Sequence, residues 1–155
     1  MPHPAQLGAY IRAALGGVLL VALSACTLAR VESSPQAVRA KLAAQLTATQ
    51  NAHMAASALW ERLIAGETVS CQETIPTPPP LTLSERELRA HPVAAPMFDA
   101  LQNARRSLQT AADLWQGVCT TTDAVVPLET ARAARQALQT ADAALEEAAA
   151  LLAGW

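Results

Sequence analysis

The stretch Ile75-Pro76-Thr77-Pro78-Pro79-Pro80 decides the fold of this chain of 155 residues. Consecutive prolines have a fixed φ angle and no amide hydrogen, so the stretch cannot be helical and favours an extended polyproline conformation. Helix-forming sequence lies on both sides of it. The segment from Gln72 to Leu83, here called the proline strap, can cover about 3.1 Å per residue and can therefore run back along a helical bundle. We expect the strap itself to be weakly packed.

A long helix is predicted before the proline strap. Ser34 is a favoured N-cap residue and Pro35 a favoured first helical residue, whereas Gly66 is a typical C-terminal stop. These signals predict a first long helix over 35–65, about 45 Å long at 1.5 Å per residue. Its apolar and small residues recur at intervals of three and four, as on one buried helical face. The face comprises Val38, Leu42, Leu46, Thr49, His53, Ala56, Trp60 and Leu63.

Three more helices are predicted after the strap. Ser84-Glu85-Arg86-Glu87 has the pattern of a capping box and predicts a short helix to about Ala90, which His91-Pro92 ends or kinks. A second long helix is predicted from 93–96 to about Gln116, where Gly117 ends it. A third begins near Pro127 and runs almost to the C-terminus.

The apolar faces of the second and third long helices also repeat close to every seven residues. They comprise Met97, Leu101, Ala104, Leu108, Ala111 and Trp115 in the second, and Leu128, Ala131, Leu138, Ala141, Leu145, Ala148 and Leu152 in the third. Residues 35–155 are therefore predicted to form an all-α domain, a three-helix bundle with a Pro-rich crossover and one short extra helix.

The first 26 residues have the pattern of a secretory signal. Positive charge at the N-terminus and Arg12 precedes an apolar segment, Ala13 to Leu23, of 11 residues. Such a segment is too short to span a bilayer core of roughly 30 Å as a helix. It ends on Leu23-Ser24-Ala25-Cys26, an aliphatic residue and two small residues before a cysteine. This ending resembles the lipobox of bacterial lipoprotein precursors; the alternative is an ordinary secretory signal that is cut near Ala25.

The resemblance implies an address for the protein. Residues 1–25 would be removed as a signal peptide, Cys26 would carry the acyl chains, and residues 26–34 would tether the bundle. Two or three acyl chains anchor a protein to a membrane far more firmly than one. The chain would then be an extracytoplasmic lipoprotein of the cell membrane or outer membrane.

Two cysteines remain if Cys26 is lipidated. Cys71 lies just past the predicted end of the first long helix and Cys119 just past that of the second. In an oxidising compartment an even pair is expected to form a disulfide, which needs Cα atoms within about 7 Å. The first two long helices would then be parallel and the third antiparallel to both. The alternatives are two free thiols, and an up-down-up bundle with the cysteines too far apart to pair.

Composition and motifs narrow the classes of function. The net charge is −2 with no basic stripe, which argues against a nucleic-acid partner. The chain has no Gly-rich phosphate loop, nucleophile elbow, His-Glu-x-x-His motif or haem-attachment motif. The adjacent Glu146-Glu147 do not face each other across a site. We therefore expect no enzyme activity, no cofactor and no metal site.

The remaining candidates for a partner or ligand surface are His53, Trp60 and Trp115. His53 falls on the apolar face of the first helix. It is either a residue that binds a ligand or a hydrogen-bonded residue at the edge of the core. A zinc site from His53, His91 and the cysteine pair is also conceivable. The tryptophans lie near helix ends, where they could form an exposed aromatic cluster or plug the core. Trp155 would lie at the end nearer the anchor, where an indole ring suits a membrane interface.

Two functions follow from these features. The first is a non-catalytic, membrane-anchored bundle with a structural role or an envelope protein as its partner. The second is a bundle that binds a small ligand or metal near His53.

Overall fold

The computed structural model describes residues 34–120 and 126–155, and the helices in these ranges follow the predicted order. They are α1 (Pro35–Ile64), α2 (Glu85–Ala90), α3 (Ala94–Thr120) and α4 (Leu128–Ala153). The predicted all-α class, with three long helices and one short extra helix, is confirmed. The predicted signal peptide, Cys26 and most of the tether lie outside the described residues. Among the residues described, no helix combines the length and the apolar character needed to cross a membrane.

Both ends of α1 are fixed by the residues that predicted them. The Ser34 hydroxyl oxygen accepts a hydrogen bond from the amide of Ala37 at 3.2 Å, which satisfies one of the helix's free N–H groups. Gly66 has a φ of 83°, a left-handed conformation that glycine adopts without a steric penalty. The chain reversal lets the amide of Glu67 bond the carbonyl of Arg62 at 3.0 Å, a Schellman-type termination.

The short helix α2 begins with the predicted capping box. The Ser84 hydroxyl accepts from the amide of Glu87 at 3.2 Å, and the Glu87 carboxylate accepts from the amide of Ser84 at 2.9 Å. The helix ends at Ala90, immediately before His91-Pro92, because the residue before a proline is disfavoured in the helical conformation.

The predicted end of α3 was wrong. The helix does not end at Gly117 but continues to Thr120, so Cys119 lies in its last turn rather than beyond it. A glycine in a helix costs about 1 kcal/mol relative to alanine, which a modest packing gain can offset. Val118 and Cys119 supply that gain, because both pack against the hydrophobic core.

Two clusters of buried side chains within residues 38–155, one compact unit, give the directions of the long helices. One cluster joins the N-terminal half of α1, the N-terminal half of α3 and the C-terminal half of α4: Val38, Leu42, Leu46, Leu83, Ala94, Met97, Ala100, Leu101, Ala104, Ala144, Leu145 and Ala148. The other joins the opposite halves: Ala52, Ala56, Leu59, Trp60, Ile75, Leu108, Ala111, Ala112, Trp115, Ala134, Ala137, Leu138 and Ala141. α1 and α3 are therefore parallel and α4 is antiparallel to both, so the up-down-up alternative is wrong.

The predicted apolar face of α4 was wrong at its start. Leu128 is 64% exposed, and the first fully buried residue of the helix is Ala134. The buried positions of the helix, Ala134 to Ala148, extrapolate back at intervals of seven to 127, 130 and 131, so Leu128 lies off the buried face.

The proline strap connects α1 to α2 by running back along the bundle, and its predicted weak packing was wrong. Ile75 and Leu83 are buried, one in each core cluster. The side-chain amide of Gln45 in α1 donates to the carbonyl of Pro80 at 3.2 Å and to the Thr82 hydroxyl at 3.1 Å. The strap therefore closes the bundle rather than hanging from it.

Candidate functional site

The structure brings Trp60 and Trp115 together, as the parallel topology requires. Their ring centroids are 5.7 Å apart and the ring planes lie at 82°, an edge-to-face arrangement that aromatic pairs favour. The Trp60 indole N–H donates to the carbonyl of Ala111 at 3.2 Å, and that of Trp115 donates to the carbonyl of Glu73 in the strap at 3.0 Å.

The burial of the tryptophan pair decides between its two interpretations. Trp60 is 1% exposed and Trp115 is 3% exposed. The exposed aromatic cluster was therefore wrong, and the two rings form the end of the hydrophobic core. Each buried indole N–H has found an acceptor, which avoids the penalty of an unpaired buried donor.

Cys71 and Cys119 lie side by side where the strap passes the end of α3. The Cys71 thiol donates to the backbone carbonyl of Cys119 at 3.5 Å. Burial, with a smaller contribution from the Cys71 contact, raises the pKa of the Cys119 thiol to about 11. Both cysteines are thiols in the structure. Their disulfide remains a prediction, which the 3.5 Å contact between Cys71 and Cys119 supports.

A small cavity adjoins the cysteine pair. It has a volume of about 100 Å³ between the strap and α3, and Glu73, Ile75 and Trp115 line it together with the two cysteines. Glu73 forms an ion pair with Arg62 at 2.9 Å, which connects this part of the strap to α1. Both side chains are about 40% exposed, so the pair contributes little stability and mainly restrains the strap.

His53 is half-buried on the side of α1 that faces α4. Its ring Nε2 lies 3.2 Å from the carbonyl oxygen of Leu138, which can only accept, so Nε2 carries the proton. This contact supports the interpretation of His53 as a hydrogen-bonded edge residue. The ring also forms part of a groove wall, so it remains available to a neighbouring molecule.

The groove between α1 and α4, here called the α1/α4 groove, has a volume of about 360 Å³ at this point. Its floor is apolar and its rim is polar, the lining being His53, Ser57, Trp60, Glu61, Ile64, Arg135, Leu138, Gln139 and Asp142. A second depression of about 340 Å³ shares His53 and Asp142, so the groove continues along the bundle past Met54, which is 62% exposed. Among the described residues, no ion pair joins the rim charges Glu61, Arg135 and Asp142 to one another or to other side chains.

Sequence reasoning missed the charged rim of this groove. Glu61, Arg135 and Asp142 come from two antiparallel helices, and nothing in either helix alone indicates that they border one depression. The available signal was their place beside the apolar faces: Glu61 follows Trp60, and Arg135 and Asp142 follow Ala134 and Ala141.

The conceivable zinc site is not assembled. His91 lies at the junction of α2 and α3, whereas Cys71 and Cys119 lie at the other end of α3. Within residues 34–120 and 126–155, no three His, Cys, Asp or Glu side chains cluster so that they could hold a metal ion.

A partly buried ion pair between Lys41 and Glu87 joins α1 to α2, and the sequence did not predict it. The Lys41 ammonium donates to the Glu87 carboxylate at 2.7 Å, and the same carboxylate accepts from the Ser84 hydroxyl at 2.8 Å and from the Ser84 amide. The Lys41 contact, followed by the Ser84 bonds, lowers the pKa of Glu87 to about 2. One carboxylate therefore serves both as helix cap and as tertiary contact.

Comparison with protein-family models, curated proteins and solved structures gave no match. The groove, the cysteine pair and the N-terminal sequence are therefore the features from which a function has to be argued.

Proposed function

We propose that this protein is a membrane-anchored extracytoplasmic lipoprotein with a structural or protein-interaction role in the cell envelope. Support for the anchor comes from Leu23-Ser24-Ala25-Cys26 at the end of an apolar segment. Support for a non-catalytic role comes from the lack of catalytic motifs in the sequence. In this proposal the bundle is a tethered binding module and Trp155, half-buried beside the core cluster of the N-terminal half of α1, lies towards the membrane.

The single observation that carries the interaction role is the α1/α4 groove. The strap runs along the bundle and buries side chains in both core clusters, whereas the α1/α4 groove is open. Its floor offers apolar surface from Ile64 and Leu138, and its rim offers Glu61, Arg135 and Asp142. An apolar centre with a polar rim is the usual composition of a protein interface. Rim charges that form no ion pair with another described residue can select a partner by electrostatic complementarity.

A photocrosslinking experiment in the native cell tests this role. A benzoyl-phenylalanine at Ser57, which lines the groove, is compared with the same residue at Gln102, which is exposed on α3. We expect one discrete crosslinked protein from the Ser57 variant, its yield reduced when Arg135 and Asp142 are reversed in charge together. Crosslinks of the same identity and yield from both positions, or none from Ser57, would contradict the proposal.

The second candidate function is small-ligand binding in the same groove, for which His53 and the volume of about 360 Å³ are the supporting observations. Native mass spectrometry of protein purified from its own membrane tests it. A bound small molecule that is lost from a Ser57→Trp variant would favour this candidate. Metal analysis of the same sample tests the metal-binding form, for which we expect less than stoichiometric content.

A further inference from the structure

We infer that Cys71 and Cys119 form an ordered dithiol site for a disulfide donor, in which Cys71 reacts first and Cys119 completes the bond. The donor is either a small disulfide such as oxidised glutathione or a protein disulfide of a thiol oxidoreductase. This inference goes beyond the proposed function, because it assigns a reaction and a class of co-reactant to the cysteine pair. The fold by itself distinguishes the two thiols.

Accessibility separates the two cysteines. Cys71 is exposed in the first turn of the loop that leads into the strap, whereas Cys119 is half-buried in the last turn of α3 and packs against the core. A donor disulfide must approach the attacking sulfur along the S–S axis, so an exposed thiol on a turn can be reached by a folded protein. Cys119 lines the small cavity beside the strap together with Cys71, and this cavity of about 100 Å³ is too small for a donor.

The chemistry follows from this arrangement. Cys71 loses its proton to solvent and its sulfur attacks one sulfur of the donor, which breaks the donor S–S bond and releases one donor thiolate. The product is a mixed disulfide between Cys71 and the other half of the donor. Cys119 then loses its proton and its sulfur attacks the Cys71 sulfur, which releases the second donor thiolate. Two thiols are oxidised, one donor disulfide is reduced, and the two protons go to water.

The second step is favoured by the contacts that hold the strap. The Trp115 indole bonds the carbonyl of Glu73 at 3.0 Å and Arg62 pairs with the Glu73 side chain at 2.9 Å, two residues beyond Cys71. These contacts keep Cys71 beside Cys119, so the attack of Cys119 is intramolecular and has a high effective concentration. Burial, which disfavours the Cys119 thiolate, reinforces the order because it slows direct attack by Cys119 on a donor in solution.

The test uses the full protein, purified from membranes in detergent and fully reduced. Oxidised glutathione is added, samples are quenched with acid, and peptides are mapped by mass spectrometry. We expect Cys119→Ser to accumulate a glutathione adduct on Cys71, and Cys71→Ser to form its adduct on Cys119 at least about tenfold more slowly. Wild type should proceed to the Cys71–Cys119 disulfide with only a transient adduct, located on Cys71.

Controls keep this result independent of folding and of the anchor. In 8 M urea the two single variants should react at similar rates, so a rate difference confined to the folded state reports accessibility. Substoichiometric oxidised glutathione on wild type, which needs no variant, should mark Cys71 before Cys119. Equal rates for the folded variants, or an initial adduct on Cys119 in wild type, would overturn the inference. An adduct on Cys26 would instead count against the lipid anchor and leave the order of the other two thiols measurable.

Discussion

Oxidation of Cys71 and Cys119 is predicted to stabilise the bundle by about 2–4 kcal/mol. The disulfide would close a loop between residues 48 positions apart in sequence. The chain-entropy treatment gives about 4 kcal/mol for a loop of this length, and strain in the folded state reduces that figure. For a domain of this size the gain corresponds to a rise in melting temperature of roughly 8–16 °C. The gain should be a large share of the total free energy of unfolding, because many core positions are alanine, which buries little apolar area per residue.

Urea unfolding of oxidised and reduced protein measures this gain, with circular dichroism as the readout. Cys71→Ser is the matched control, because it should unfold like reduced wild type under both conditions. A difference of less than about 0.5 kcal/mol between oxidised and reduced protein would refute the reasoning. So would peptide mapping that finds both thiols free in protein made in an oxidising compartment, since the parallel helices place them beside each other.

The remaining predictions concern charge, backbone and the strap. The pKa of Glu87 is lowered in the folded state to about 2, so its contribution to stability is present above about pH 4.5 and is lost as the pH falls towards 2. Glu87→Gln should therefore lower the free energy of unfolding by about 1–2 kcal/mol at pH 7, and its urea midpoint should change less than that of wild type between pH 4.5 and pH 2. An equal pH dependence of the two midpoints would contradict this prediction. Gly117→Ala should raise stability by about 0.5–1 kcal/mol in thermal unfolding, because alanine favours the helix and a Cβ there meets nothing within 4 Å. Gly66→Ala should lower stability by about 1 kcal/mol, because a φ of 83° is strained for a residue with a Cβ. Trp115→Phe should cost about 1–3 kcal/mol and speed proteolytic cleavage of the strap, because the carbonyl of Glu73 loses its donor; unchanged cleavage would show that the strap is held by other contacts.

The sequence predicted those features of the fold whose signals are local. The start of α1 at Ser34-Pro35, its end at Gly66 and the capping box of α2 all depend on contacts within a few residues. The end of α3 depended on a tertiary contact instead, because packing of Val118 and Cys119 against the core offsets the cost of Gly117 within the helix.

Features that join distant segments were predicted only where a hypothetical disulfide linked them. A disulfide between Cys71 and Cys119 implied parallel helices, and the core clusters have that arrangement. The packing of the strap could not be predicted in the same way, since its hydrogen bonds to Gln45 and Trp115 join residues more than thirty positions apart. The rim of the α1/α4 groove was missed for the same reason, because two antiparallel helices build it.

The most direct test of the central proposal is the mass of the N-terminal peptide of the mature protein, isolated from its native membrane. The lipoprotein proposal predicts that the peptide begins at Cys26 and carries a diacylglyceryl group on the cysteine sulfur. The same peptide from a Cys26→Ser variant should carry no lipid, and that variant should leave the membrane fraction or remain unprocessed. A mature N-terminus at another residue, or an unmodified Cys26 thiol in membrane-derived protein, would contradict the proposal.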